Sequence, residues 1–195
     1  MTGSISERLL TWGVGFCLVC VAQGAFSTPS RISGVQEATV GSDGLIHIID
    51  EAGKESIAPR ETLEGMPADE QLQAAAGSVR ISSDRRTVGW IVSFPNCCTS
   101  YPLPLLLVLY RDGHVTQRIR SRGLPEIWDW DFVDGGARVV FASNFPHGNS
   151  QSQYEMHDVA SGRLLHIYTG SGKPEPSWVR AYLRSVNTGV KSKVK

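Results

Sequence analysis

The chain has 195 residues, of which 41% are hydrophobic, so it is long enough to bury one core. Its 19 basic and 19 acidic side chains give a formal net charge of zero. A neutral chain lacks the basic field that drives generic nucleic-acid binding, which argues against a nucleic-acid partner. The 20 glycines and 10 prolines are spread along the sequence, as is typical of a fold with many turns. We therefore expect a mostly β protein.

The N-terminal segment has the three parts of a secretory signal peptide. Arg8 precedes an uncharged, largely apolar run that ends with the small residues Ala22 and Gly24. We expect residues 1–24 to be removed and the mature protein to be secreted or periplasmic. Two alternatives stay open. The run approaches the ~20 apolar residues that span a bilayer, which allows an uncleaved anchor, and Cys20 allows a lipoprotein.

Removal of the signal segment on export would leave only two of the four cysteines in the mature chain. Cys17 and Cys20 have C-x-x-C spacing, but they lie inside the apolar run, where redox or metal chemistry has no partners. The mature chain keeps only the adjacent Cys97 and Cys98, in an oxidising compartment. We expect these two cysteines to form a disulfide with each other.

The first part of the mature chain is expected to be irregular. Residues 25–42 contain Ser, Thr, Pro and Gly with little periodicity and are interpreted as a lead-in. A single β domain is predicted over residues 43–170, opening with a hairpin over residues 45–58. The segment Ala68–Gly77 combines strong helix formers with a final glycine and predicts a short surface helix. It adjoins an acidic stretch, Asp50–Glu70, interpreted as a solvated face.

Two later stretches repeat one order of strands. In residues 79–120 and 127–168, four short runs rich in β-branched and aromatic residues alternate with turns. A displacement of fifty-one residues places Trp90 on Phe141. Four strands per unit of 40 to 50 residues is the signature of a propeller blade. The predicted fold class is therefore mostly β, with antiparallel, blade-like four-stranded units and short peripheral helices.

Two segments within these units resemble a known repeat. Residues 82–90 (SSDRRTVGW) and 132–141 (FVDGGARVVF) are similar to the repeat of the periplasmic β-propeller of the Tol-Pal system. In that family a serine-proline-aspartate-glycine turn precedes a strand ending in an aromatic residue. The first segment departs from it with Ser83 for proline and Arg85 for glycine, and the second lacks the serine and the proline. The resemblance covers about residues 79–168 and implies the strand order of a propeller.

Chain length limits how complete a propeller can be. Four blades of about forty residues would need the whole mature chain, and the acidic segment takes the place of one. We expect an incomplete propeller or a sandwich-like assembly, with a ring completed by a second copy as the alternative. Residues 171–195 predict a helix over residues 177–186 and a basic tail. The tail is interpreted either as frayed and solvated or as docking to anionic lipid or to the acidic stretch.

The connection between the second and third strands of each unit is the candidate site. If the two units are equivalent, both connections emerge at the same end and form one rim. The predicted rim residues are Asn96, Cys97, Cys98, Tyr101, His147 and Asn149. Three chemistries are open to this rim: a labile disulfide, a metal site and a cysteine nucleophile. A metal site needs more ligands than the rim offers, and a nucleophile needs an oriented imidazole.

The segment from Trp128 to Asp131 alternates tryptophan and aspartate. Alternation in a strand predicts both tryptophans on the core face and both aspartates on the solvent face. A carbohydrate-stacking platform, or a paired-carboxylate site for glycoside chemistry, is the alternative interpretation.

No catalytic, phosphate-binding or calcium-binding motif occurs in the sequence. We expect neither a metal nor a cofactor, and a binding module for a protein or a small ligand rather than an enzyme. A membrane would be contacted only through an uncleaved signal segment. The alternative function is an extracytoplasmic hydrolase or thiol-redox protein that uses the Cys97, Cys98 and His147 rim.

Overall fold

A computed structural model describes residues 33–97, 100–123, 125–145, 152–170, 172 and 174–192. Within this part the chain forms eleven strands, a short 3-10 turn at Asp134–Gly136 and one α-helix. The strands make three antiparallel sheets of three, four and four strands. None of the helical residues described forms a segment long and apolar enough to cross a bilayer. The predicted mostly β fold class with four-stranded antiparallel units is confirmed.

The first sheet is a meander of β1 (Val35–Val40), β2 (Ile46–Asp50) and β3 (Glu55–Ile57). Strands β2 and β3 form the predicted hairpin. The lead-in interpretation is wrong for Val35–Val40, which pairs with β2. The register between β1 and β2 shifts after Val35, so the strand lacks the clean two-residue period that would have identified it.

The second and third sheets each contain four strands that are neighbours both in sequence and in space. Their strands are β4 (Ala75–Ile81), β5 (Thr87–Phe94), β6 (Leu103–Arg111) and β7 (His114–Ile119), then β8 (Glu126–Val133), β9 (Arg138–Asn144), β10 (Gln153–Asp158) and β11 (Leu164–Thr169). Trp90 and Phe141 occupy matched positions in β5 and β9. Both are fully buried, and each packs toward the preceding sheet. The fifty-one-residue displacement therefore relates equivalent strands.

The helix predicted over Ala68–Gly77 does not form. A tight turn, closed by a hydrogen bond from the Glu70 N–H to the Pro67 carbonyl, occupies its start. Its last residues belong to β4 and pair with β5. A helix of two or three turns is marginal in water, whereas pairing with a buried strand supplies both backbone hydrogen bonds and apolar contacts. Tertiary pairing therefore overrides the local helix propensity.

Three apolar layers join the elements. One lies between the first and second sheets, one between the second and third, and one between the third sheet and helix α1 (Ser177–Ser192). Helix α1 includes the segment predicted to be helical. Its Tyr182 is buried in the same cluster as Val140 and Met156. The helix thus covers the face of the third sheet on which a fourth sheet would otherwise stack.

A close contact between β5 and β8 joins the second and third sheets. A Cβ added at Gly89 would lie 2.4 Å from Cη2 of Trp130 and 3.0 Å from Cδ2 of Leu109. The Trp130 indole N–H donates to the Ser78 carbonyl at 2.9 Å. The Arg80 guanidinium lies 5.8 Å from the centre of the same ring. The position beside Trp130 therefore requires glycine.

The three sheets stack with the same polarity. The Val35 N–H donates to the Arg85 carbonyl, between β4 and β5, at 2.6 Å. A Cβ added at Gly136, between β8 and β9, would lie 2.9 Å from Cβ of Ser82. Even-numbered strands thus finish at one end, the tight-turn end, where connections have two to five residues. Odd-numbered strands finish at the long-connection end, where connections between strands have five to seventeen residues.

We expect Gly89→Ala to lower the free energy of unfolding by about 1–3 kcal/mol, as overpacking of a tight core does. The added methyl group would collide with the Trp130 ring. Gly77→Ala is the matched control, because a Cβ there meets no atom within 4 Å. Denaturant titration followed by tryptophan fluorescence measures both variants, and equal midpoints would contradict this packing.

Candidate functional site

The predicted rim falls partly within the described residues. Asn96 and Cys97 follow β5, and the half-buried Tyr101 precedes β6. Cys97 is exposed, and its backbone N–H donates to Oε1 of the buried Glu70 at 2.8 Å. Three of the predicted residues lie outside the described part: Cys98, His147 and Asn149. The shared rim and the disulfide therefore stay predictions.

The strands that lead into the two predicted connections have the same polarity. Strand β5 ends at Phe94 and β9 ends at Asn144, and both of these residues lie at the long-connection end. This parallel arrangement of β5 and β9 is the geometry that a shared rim requires. Any site built on these connections belongs to the long-connection end.

The long-connection end carries most of the large apolar side chains that the described residues leave exposed. Val40, Ile57, Leu72 and Phe145 lie in or next to its connections. Trp128 and Ile167 lie in strands, each two residues from the strand terminus at this end. Contiguous exposed apolar surface is typical of interaction sites.

A bulge in β8 exposes Trp128. The register between β8 and β9 shifts between Ile127 and Asp129, so Trp128 is skipped in the pairing. The prediction that Trp128 and Trp130 share the core face is wrong, because Trp130 is fully buried while Trp128 is 53% exposed. Such bulges re-aim a side chain and often lie beside functional sites. The alternating sequence pattern could not reveal this bulge, since the bulge inserts a single residue into the strand.

A cavity of about 180 Å³ lies beside Trp128, between the edge strands β4 and β8. Small residues from Ala75 to Ser78 form one wall, and Ile127 contributes to the other. Strand β4 is itself irregular here, because its register with β5 shifts after Gly77 and Ser78 has a φ of 51°. The two bulged edge strands, β4 and β8, thus leave an opening next to the exposed tryptophan.

Arg80 of β4 holds both aspartates of the tryptophan-aspartate segment. Its Nη2 lies 2.9 Å from Oδ1 of Asp129, and its Nη1 lies 3.5 Å from Oδ2 of Asp131. Burial, aided by the nearby Asp129 carboxylate, raises the pKa of Tyr182 far above its ordinary value. Glycoside chemistry needs two carboxyl groups that flank a substrate, one of them a proton donor. Here both carboxylates are bound to one guanidinium, so the cluster serves as a junction between sheets.

A buried polar network centred on Glu155 ties the connection between β7 and β8 to the third sheet. Oε1 of Glu155 accepts hydrogen bonds from Ser121 Oγ at 2.8 Å, from the Arg122 N–H at 2.7 Å and from Gln153 Nε2 at 2.7 Å. Oε2 of Glu155 lies 3.0 Å from Nε2 of His157. Glu155 is fully buried and His157 nearly so. The network therefore fixes the connection on which Ser121 and Arg122 lie.

The serine, carboxylate and histidine of this network do not form a hydrolytic triad. Ser121 donates to Glu155 rather than to His157. The two ring nitrogens of His157 face oxygens of Glu155 and of the Gly162 carbonyl, each at 3.0 Å. No ring nitrogen is left to take a proton from a serine hydroxyl, which is the step a triad requires. The network is structural.

Opposing effects act on the pKa of Glu155. Burial raises it, but the hydrogen bonds from His157, Arg122, Ser121 and Gln153 together outweigh burial and hold the pKa below its ordinary value of 4.5. A carboxyl group whose pKa is lower in the folded than in the unfolded state stabilises the fold above its unfolded pKa. That stabilisation is lost as the pH falls through the folded value.

We expect Glu155→Gln to lower the free energy of unfolding at pH 7 by about 2 kcal/mol, because hydrogen bonds to a charged group contribute about 1.5–3 kcal/mol each. Its free energy of unfolding should also fall less steeply than that of the wild type as the pH drops below about 4.5. Denaturant titrations from pH 3 to 7 measure both effects. Glu64→Gln, at an exposed carboxylate, is the control. A wild-type pH dependence in Glu155→Gln would show that the network does not hold a charged carboxylate.

Two solved structures are distantly similar to this chain. No family model and no curated protein matches the chain. A crystal structure of the eukaryotic initiation factor matches with 10% identity and a TM-score of 0.41, over 72% of this chain and 33% of that one. The structure of the Dos1 propeller matches with 11% identity and a TM-score of 0.34, over 70% of this chain and 37% of that one. This chain thus spans about a third of the length of these structures. The resemblance to the Tol-Pal repeat stays a prediction.

Proposed function

We propose that this protein is a non-catalytic binding module that engages a protein partner through its long-connection end. Trp128 carries the proposal, because a bulge holds this side chain 53% exposed beside a cavity. Val40, Leu72 and Phe145 add exposed apolar surface at the same end. Tryptophan contributes more than most residues to the affinity of protein interfaces, and exposed apolar surface is retained where a partner covers it.

The contacts of the described polar residues support binding rather than catalysis. Ser121, Glu155 and His157 satisfy one another inside the protein, and Arg80 is bound to two aspartates. None of these groups lies in an open cleft with a free proton acceptor, which a hydrolase would need. The hydrolase or thiol-redox alternative depends on the predicted cysteine and histidine rim, and no described contact favours it.

Site-specific photo-crosslinking in the producing cells tests the proposal. A benzophenone side chain at Leu72 or Phe145 should give one adduct of common mass, whereas Lys54 and Arg86 at the tight-turn end should give none. Trp128→Ala, combined with either probe, should reduce the adduct at least tenfold, since loss of an interface hot spot costs about 2 kcal/mol or more. Equal adducts from both ends, or a yield unchanged by Trp128→Ala, would contradict the proposal.

We further propose that the module acts outside the cytoplasm, as the signal-like segment indicates. The mature protein should then begin at Ala25. N-terminal sequencing and intact mass of the protein purified from its producing cells distinguish the alternatives. An intact N-terminus in the membrane fraction would indicate an uncleaved anchor, and a lipid-modified Cys20 would indicate a lipoprotein. Full-length protein in the cytosol would contradict export.

A further inference from the structure

The long-connection end also carries a row of arginine side chains. Arg118 is the penultimate residue of β7, and Arg120 and Arg122 follow it in the connection to β8. The residues between them point inward, since Ile119 is 4% exposed and the Ser121 hydroxyl belongs to the buried network. The three arginine residues themselves are exposed.

The buried network holds the segment that carries this row. The Ser121 hydroxyl and the Arg122 N–H both bond to Oε1 of Glu155. Gly123 lies so close to Gln153 that an added Cβ would stand 2.5 Å from its Oε1. Ser121, Arg122 and Gly123 are thus held in place by contacts with Glu155 and Gln153 of the third sheet. A segment fixed before binding loses less conformational entropy when a partner binds.

Arg118 shows what the row can bind. Its Nε and Nη2 lie 2.5 and 3.1 Å from the two carboxylate oxygens of Glu61, a bidentate arrangement. The Arg120 and Arg122 side chains make no hydrogen bond or ion pair with any other described residue. Two of the three guanidinium groups are therefore open to carboxylates supplied from outside.

A cavity of about 340 Å³ opens beside Arg120. Its lining is mainly apolar and includes Met66, Leu103 and the buried Leu105. Arg120 itself lines this cavity. A peptide whose carboxylate pairs with Arg120 can thus place an apolar side chain in the cavity.

We propose that the partner binds this end with an extended acidic segment, in which carboxylates pair with Arg120 and Arg122 and an apolar side chain on the same face of the segment enters the cavity. This rests on the proposed binding function and specifies its partner. A long polyphosphate fits less well, because the row is short, the net charge is zero, and Glu64 and Asp69 are exposed on the connection that supplies Met66.

Fluorescence anisotropy of the full mature protein with a fluorescein-labelled Gly-Gly-Leu-Ser-Glu-Ser-Glu-Gly-Gly peptide, which carries its leucine and both glutamates on one face when extended, tests the proposal. We expect saturable binding that weakens as NaCl rises from 20 to 300 mM. The double variant Arg120→Glu/Arg122→Glu should weaken binding at least tenfold. The matched control Arg86→Glu/Arg163→Glu, at the tight-turn end, should bind like the wild type. Leu103→Trp, which fills the cavity, should weaken the leucine peptide but not one with alanine in its place.

Several results would overturn the proposal. These are no saturable binding, equal affinity in the double variant, an equal loss in the control, or tighter binding of a 20-nucleotide thymidine oligonucleotide. Circular dichroism of every variant separates loss of binding from loss of folding. If photo-crosslinks at Leu72 and Phe145 persist unchanged in Arg120→Glu/Arg122→Glu, the binding module stands and the acidic segment is wrong. If peptide binding depends on the arginines but crosslinking fails, the row binds carboxylates and the wider partner surface is wrong.

Discussion

The contact of Trp130 with Gly89 sets how the second and third sheets dock. The indole ring fills the space that any side chain at position 89 would take, and its N–H donates to the Ser78 carbonyl of the preceding sheet. The ring and the hydrogen bond both join β8 to the second sheet at a close-packed point, which leaves little freedom to rotate or reverse the third sheet. The shared polarity of the second and third sheets, and with it the position of their long connections at one end, depends on this contact.

This polarity gives the two ends different roles. The tight-turn end is closed by connections of two to five residues. The long-connection end exposes Trp128 and the arginine row, and beneath that row lies the buried Glu155 network. Burying a charge is unfavourable unless its hydrogen bonds are satisfied, and Glu155 receives three at one oxygen while His157 faces the other. The network is thus compatible with a stable fold, and it holds the surface used in the proposed interaction.

Much of the fold could be predicted because duplication leaves a signal in the sequence: Trp90 and Phe141 occupy matched strands at a fixed displacement. The predictions that were wrong concerned segments whose structure is decided by tertiary contacts. Pairing with β5 turned a helix-like segment into β4, and a single inserted residue exposed Trp128, which alternation had placed in the core. The Glu155 network left no local motif, since Ser121 is 34 residues away and only the fold brings them together. The candidate rim was placed on connections that lie at the long-connection end. The arginine row and the exposed tryptophan at that end were not predicted from the sequence.

Nuclear Overhauser spectroscopy of the isotopically labelled mature protein tests the docking of the sheets most directly. Cross-peaks from the Trp130 ring protons to both α protons of Gly89, with slow exchange of the indole N–H, are the expected result. Cross-peaks confined to Phe132 and other residues of the third sheet, with a rapidly exchanging indole N–H, would contradict it. In that case the long connections would have no common end, and the binding surface proposed there would not exist.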